Sequence, residues 1–272
     1  MVPRSGRPAD TMTSPQMAAH RRDGGILLLP VGCFEMHDRH VGLSCDTFLA
    51  EAACRVLAEE WRAAILPPIV FTYPGATTRW PGSCAIRPRE TLDYIIAVVK
   101  GILRNGGRRL VLVGWHGPNG PIIQVALRQV FEETGELPIL FMPNEGEFYR
   151  KIEEEFGRPH GEAAWYLASL EICGRADEFD PAVSEADEHP RDVPTFPSLR
   201  KLARHGVSAP YVFVTPWSHV GWCSGLTRAD APRLAELYRE WLLSQARGLP
   251  EDYEEFRRDM AAAMEQEPWN EM

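Results

Sequence analysis

From residue 25 onward the chain alternates between two rhythms. Short, continuous apolar runs such as GILLLPVG (25–32) fit strands covered on both faces. Between them lie stretches with apolar residues at helical spacing. DTFLAEAACRVLAEEW (46–61) is the first, with Asp46 standing where an N-cap belongs. AILPPIVF (64–71), RRLVLVGW (108–115) and LPILFMP (137–143) are the next apolar runs, and ETLDYIIAVVKGILRNGG (90–107) and PIIQVALRQVFEETG (121–135) the helices between them. Strands alternating with helices predict an α/β fold, a mostly parallel sheet with helices on both faces.

After residue 150 the rhythm loosens. GEAAWYLASLEIC (161–173) reads as a helix and GRADEFDPAVSEADEHPRDVPTFPS (174–198) as an acidic, Pro-rich excursion. APYVFVTP (209–216) is a candidate last strand, and TRADAPRLAELYREWLLSQAR (227–247) an amphipathic helix. The expected organisation is a flexible segment 1–24, one domain over 25–250 and a tail over 251–272.

Composition narrows the class. The chain of 272 residues is 44% hydrophobic and 25% charged, ordinary for a soluble globular protein. A net charge of -9 without a Lys/Arg run argues against nucleic acid as a partner. No apolar run approaches the roughly 20 residues of a membrane span. Cys33, Cys45, Cys54, Cys84, Cys173 and Cys223 are scattered without a CxxC pair, which suits a reducing compartment. The first residues lack an apolar signal region, so the expected setting is cytoplasmic.

Chemistry concentrates at two strand ends, where open α/β sheets bind ligands. GCFEMHDRH (32–40) follows the first strand and continues to Asp46; VLVGWHGPNG (111–120) delivers Trp115, His116 and Asn119 after another. In a parallel sheet both loops lie on one edge, so Glu35, His37, Asp46 and His116 can converge. Imidazole nitrogen with carboxylate oxygen is the donor mixture for zinc, manganese or iron. Taken singly, each residue has a plainer role: a surface histidine, an N-cap, a solvated glutamate. On the residues alone, a metal site and a crowded polar loop both stay open.

The stretch GCFEMHDRHVGLSCD resembles the signature of the creatininase family of metal-dependent amidohydrolases, approximately G-S-x-E-Q-H-G-P-H-L-P-L-x-T-D. Gly32, Glu35, His37, His40, Leu43 and Asp46 keep its spacing without a gap. WPGSCAI (80–86) is similar to the family's F-P-G-T-I-S, VGWHGPN (113–119) to N-G-H-x-x-N, and GLTRADAPRLAEL (225–237) more loosely to a later segment. The resemblance implies a three-layer sandwich and two divalent metal ions, zinc or manganese with iron admissible. It implies that Glu35 and His116 hold one ion, His37 holds the other and Asp46 bridges, with His40 as an orienting partner. It also implies a homo-oligomer, commonly a hexamer.

Departures accompany the match. Some members carry a ligating Glu two residues after the equivalent of His116, where this chain has Pro118. Others have a later H-A-G-x-x-E-T-S motif; aligned with GEAAWYL, its Glu falls on Glu162, its Thr and Ser on Ala163 and Ala164, and its His on Gly157, with His160 three residues later. Glu162 is therefore a candidate fifth ligand and His160 a displaced candidate general base; helix capping is the plainer role for both.

The expected function is hydrolysis of a non-peptide C–N bond, in a small cyclic amide or formamide, by metal-activated water. His160 or Glu162 would carry the proton. Trp80, Trp115, Asn119, Trp165 and Tyr166 flank the motifs and are candidates for holding a planar substrate, whereas Trp61 and Trp241 read as core residues. Two alternatives stand beside it: a binding or scaffold protein that has lost hydrolysis, and a peptide-maturation peptidase of the same family. A dinuclear phosphoesterase is disfavoured, because no basic residue or Gly-rich loop near the motifs offers a phosphate cradle.

Overall fold

A computed structural model describes residues 7–37, 41–157, 161–180, 197–213 and 225–266. Five parallel strands form one sheet: β1 (Arg7–Pro8), β2 (Leu27–Val31), β3 (Ala64–Ile65), β4 (Leu110–Gly114) and β5 (Ile139–Phe141), in the order β1-β3-β2-β4-β5. The helices are α1 (Ser14–Arg22), α2 (Cys45–Trp61), α3 (Pro88–Arg104), α4 (Asn119–Thr134), α5 (Gly146–Phe156), α6 (Gly161–Ile172), α7 (Pro197–Ala203), α8 (Ala231–Gln245) and α9 (Leu249–Met264).

The alternation within β2 and β4 sorts the layers. Leu27, Leu29, Val31, Leu110 and Leu112 pack on α3 and α4, while Leu28, Val111 and Val113 pack on the layer of α2, α6 and α8. Parallel strands buried on both faces need such continuous apolar runs. Chain order runs outward from β2 in both directions, to β3 through α2 and to β4 after α3. The switch point, where ligands bind in this class, therefore lies between the carboxyl ends of β2 and β4.

Prolines explain why β3 is shorter than its apolar run. Ala64 and Leu66 donate to Ile26 and Leu28, the ladder breaks at Pro67 and Pro68, and Ile69 resumes it by donating to Pro30 at 2.9 Å. Pro30, inside a central strand, faces that interruption with its carbonyl, which accepts from Ile69.

Several elements differ from expectation. Residues 7–22, read as a flexible lead-in, supply β1 and α1, because Arg7 and Pro8 extend the sheet edge beside β3. Residues 249–264, read as a tail from 251, form α9; Tyr253 anchors it, its hydroxyl donating to the Leu137 carbonyl at 2.6 Å. Helix α5 has no counterpart in the sequence reading. Tyr211–Phe213 have no strand assignment, and the rest of that candidate strand, 214–216, lies outside the described residues, as does most of the acidic excursion.

Candidate metal centre

Asp46 is not the N-cap of α2. Ser44 holds that place and Asp46 is the second residue of the first turn, leaving its carboxylate free to face the β2–α2 loop. The helix starts so close to the sheet that a Cβ on Gly32 would lie 2.4 Å from Thr47 Cα, so only glycine lets α2 approach. Thr47 Oγ1 donates to the Cys33 carbonyl at 3.3 Å and seals this joint.

The joint brings Asp46 between two imidazoles. Asp46 Oδ1 lies 3.3 Å from His37 Nε2, and Asp46 Oδ2 lies 3.0 Å from His116 Nδ1. Glu35 Oε1 lies 3.1 Å from that same His116 nitrogen and 3.9 Å from His37 Nε2. His116 reaches this position from a backbone φ of 115°, a conformation that costs a non-glycine residue strain.

The opposite nitrogen of each ring fixes the tautomer. His37 Nδ1 lies 3.1 Å from the Glu35 carbonyl and His116 Nε2 lies 2.9 Å from the Tyr73 carbonyl. A carbonyl oxygen only accepts, so each of those nitrogens carries the hydrogen. In neutral rings the nitrogens facing the carboxylates are then bare lone pairs aimed at negative oxygens. Such an arrangement requires a cation between them, either a proton on the ring or a metal ion. Two carboxylate oxygens crowd His116 Nδ1, more than one N–H satisfies. Glu162 Oε2 is buried without a hydrogen-bond partner among the described residues. Two groups of donors converge to within 4.8 Å: Glu35, His37 and Asp46, and Cys33, Glu35 and His116, every member buried.

Without an ion the field does the same work through protons. Burial alone would lower His37, but the charge and hydrogen bond of Asp46, with Glu35 and Glu162 behind, push it up to about 10. His116 is likewise raised despite burial, chiefly by Asp46. Burial would raise Asp46, and the two imidazoles outweigh it, holding the carboxyl well below its ordinary value.

A cavity of about 440 Å³ opens above these groups, within the usual range of roughly 300–1,000 Å³ for small-molecule sites. Glu35, Asp46 and His116 form its floor, Glu162 and Trp165 of α6 and Glu145 and Tyr149 at α5 its wall, and Ala209–Phe213 its ceiling.

The creatinine amidohydrolase family profile matches residues 10–207, most of the chain. The chain belongs to the creatininase family. It is 29% identical to the creatinine amidohydrolase of Pseudomonas putida over 114 residues, 39% of this chain and 44% of that protein. It is 24% identical to 3-dehydro-scyllo-inosose hydrolase of Thermotoga maritima over 147 residues, 54% and 46% of the two chains. It is 26% identical to the mycofactocin precursor peptide peptidase of Mycolicibacterium smegmatis over 122 residues, 42% and 49%. The matched stretches span about half the length of these relatives. A crystal structure of creatinine amidohydrolase superposes with a TM-score of 0.69 at 20% identity, over 90% of this chain and 98% of that one. A Zn-Zn type creatininase mutant gives 0.67 at 19% identity, over 88% and 96%, and a manganese creatininase 0.65 at 20%, over 88% and 96%. These likenesses establish the fold.

Within this creatininase fold the expected ligands Glu35, His37, Asp46 and His116 stand together, and Glu162 lines the cavity beside them. Trp115 and Trp165 also line it, and both belong to a buried aromatic cluster with Phe148, Tyr238 and Trp241, the Trp115 and Trp165 centroids 5.2 Å apart. Trp80 is set back from the wall, its indole donating to the Phe213 carbonyl at 3.0 Å and so tying down the ceiling. Asn119 is buried beneath the floor and donates to the Gly32 carbonyl at 2.9 Å and to Thr72 Oγ1 at 3.1 Å. Tyr166 turns its hydroxyl to Gly42 instead of the cavity. Pro118 packs against Gly75 at the rim. His40 and His160 lie outside the described residues.

Sequence reading passed over the loop after β3. Its Thr77 hydroxyl lies against Glu35 Oε2 and 2.8 Å from the Pro74 carbonyl; its one proton serves one of them, and the carboxylate is the stronger acceptor. Tyr73 supplies the carbonyl that orients His116. Both sit on the same sheet edge as the recognised motifs, but Pro67 and Pro68 obscured where that strand ends.

Proposed function

We propose that this chain is a metal-dependent amidohydrolase acting on a non-peptide C–N bond of a small molecule, a cyclic amide or formamide. The observation that supports it most directly is the pair of imidazole nitrogens facing one carboxylate, an oxygen of Asp46 toward each ring. In this reading Glu35 and His116 would hold one divalent ion and His37 the other, with Asp46 as the donor they would share and Glu162 as a further donor. The buried, unpartnered oxygen of Glu162 and the Asp46 carboxylate held between two imidazoles fit such donors. Zinc and manganese both accept this oxygen and nitrogen mixture.

When bound, the ions lower the pKa of water toward about 7 and polarise a carbonyl. The chain's own residues supply the rest. The Glu35 and Tyr73 carbonyls fix the two imidazoles, and Thr77 braces Glu35. Glu162 takes and returns the proton bound for the leaving nitrogen, with His160, two residues earlier, as the alternative carrier. Trp115 and Trp165 present flat apolar walls to a planar substrate. Ala209, Pro210, Tyr211 and Phe213 add a further apolar side to the cavity. The cavity volume favours a small amide over a peptide chain.

No helix among the described residues is long and apolar enough to cross a membrane. The cytoplasmic setting is our reading of the scattered cysteines, and the homo-oligomer of the family resemblance.

Metal content after gentle purification is expected to approach two ions per subunit. Protein loaded with zinc or manganese is expected to hydrolyse a member of a panel of lactams, formamides and ureas. Less than one ion per subunit with no turnover would overturn this reading in favour of a binding protein.

A further inference from the structure

The second donor group contains a residue that the ligand set above leaves out. Cys33 follows β2 directly, is wholly buried, and places its sulfur within 4.8 Å of donor atoms of both Glu35 and His116. Its other recorded contact is weak, the Thr72 carbonyl at 3.9 Å. Two donors on one tetrahedral zinc ion, a thiolate at about 2.3 Å and a nitrogen at about 2.1 Å, stand roughly 3.6 Å apart, so donors within 4.8 Å of one another close onto one ion by shifts on the order of 1 Å. The position reads Ser in the family signature that GCFEMHDRHVGLSCD resembles.

We propose that Cys33 is a ligand of the ion held by Glu35 and His116, giving that position a sulfur donor and a preference for zinc over manganese. The inference rests on the metallohydrolase reading. Cys33, Glu35 and His116 make three converging protein donors including one soft one, a set whose chemistry suits zinc better than manganese. On ligation the metal takes the place of the thiol hydrogen, which leaves as a proton to solvent. The ion at His37 has no sulfur donor among the described residues and remains the exchangeable one. The two positions therefore differ in softness.

Cobalt(II) added to the metal-free full-length chain tests this. The wild type is expected to show ligand-field bands with a thiolate-to-cobalt charge-transfer band in the near ultraviolet, and Cys33→Ser to keep the first and lose the second. Cys33→Ser is also expected to weaken zinc binding at the tighter position by at least roughly 10- to 100-fold while leaving manganese binding nearly unchanged. X-ray absorption of the zinc-loaded wild type, which needs no variant, is expected to contain a sulfur neighbour at about 2.3 Å. Ligand-field bands without charge transfer, or a charge-transfer band that survives in Cys33→Ser, would overturn the assignment of Cys33 and leave the metallohydrolase reading standing. No uptake of cobalt, zinc or manganese by the wild type would overturn both.

Discussion

The two faces of the sheet are built from different materials. The α3–α4 side has a buried core of Leu, Ile, Val and Ala without an aromatic ring. The α2–α6–α8 side combines Trp115, Trp165, Trp241, Tyr238 and Phe148 with a run of small residues along α2, among them Ala50, Ala52, Ala53 and Cys54. Among the described residues the helices that send carboxylates to the cavity belong to the second side, with Asp46 from the first turn of α2, Glu162 from the first turn of α6 and Glu145 at the start of α5, while Glu35 comes from the β2–α2 loop. One face holds the sheet together; the other holds the sheet and aims donors. Large rings anchor α6 and α8 rigidly, and small residues let α2 sit low enough for Asp46 to reach both imidazoles.

This division can be broken experimentally. Asp46→Ala is expected to abolish metal-dependent turnover and to lower metal affinity beyond the roughly 10–100-fold that outer partners cost, with the circular dichroism spectrum unchanged. Normal turnover in that variant would remove the bridge from the mechanism. Leu112→Ala, on the aliphatic face, is expected to cost about 2–5 kcal/mol in denaturant unfolding while metal bound per folded molecule stays constant. A changed metal stoichiometry there would deny that the faces are separable.

The charge on His37 gives a pH test. Its pKa is raised from 6.5 to about 10 in the metal-free chain, so its stabilisation is complete below about 6.5 and lost as pH rises through about 10. Asp46, depressed from 3.8, contributes above that value and loses its contribution in acid. The melting temperature of metal-free protein is therefore expected to fall between pH 7 and 10, while metal-loaded protein holds its own, since ions replace the protons. Parallel profiles would mean that the imidazoles do not carry the cation. Thr77→Val is expected to weaken metal binding by roughly 10-fold through Glu35, measured by competition with a chelator. Arg87→Ala, which breaks an exposed pair with Glu90, is expected to leave melting temperature and metal content unchanged and serves as the baseline.

The layered fold was legible because both central strands are continuous apolar runs, and the ligand motif because its residues lie within one loop. Asp46 was recognised for its place in the motif but misjudged locally: cap and second helical position differ by two residues, and only the approach of α2 over Gly32 tells which side chain faces inward. Tyr166 and Trp80 flank the motifs in sequence yet point elsewhere, because adjacency along the chain does not set direction. Arg7 and Pro8 carry no strand pattern; a two-residue edge forms only because β3 is there to pair with. Thr77 and Tyr73 act through one hydroxyl and one carbonyl, and a carbonyl has no sequence signature at all.

The ceiling of the cavity is joined to its rim by Trp80 and Phe213, across 133 residues, with Phe213 N–H returning to the Ala76 carbonyl at 3.1 Å. The floor is finished by residues up to His116. During synthesis Glu35, Asp46 and His116 therefore emerge well before the segment that covers them, and the clasp closes over a basin whose floor residues are already made.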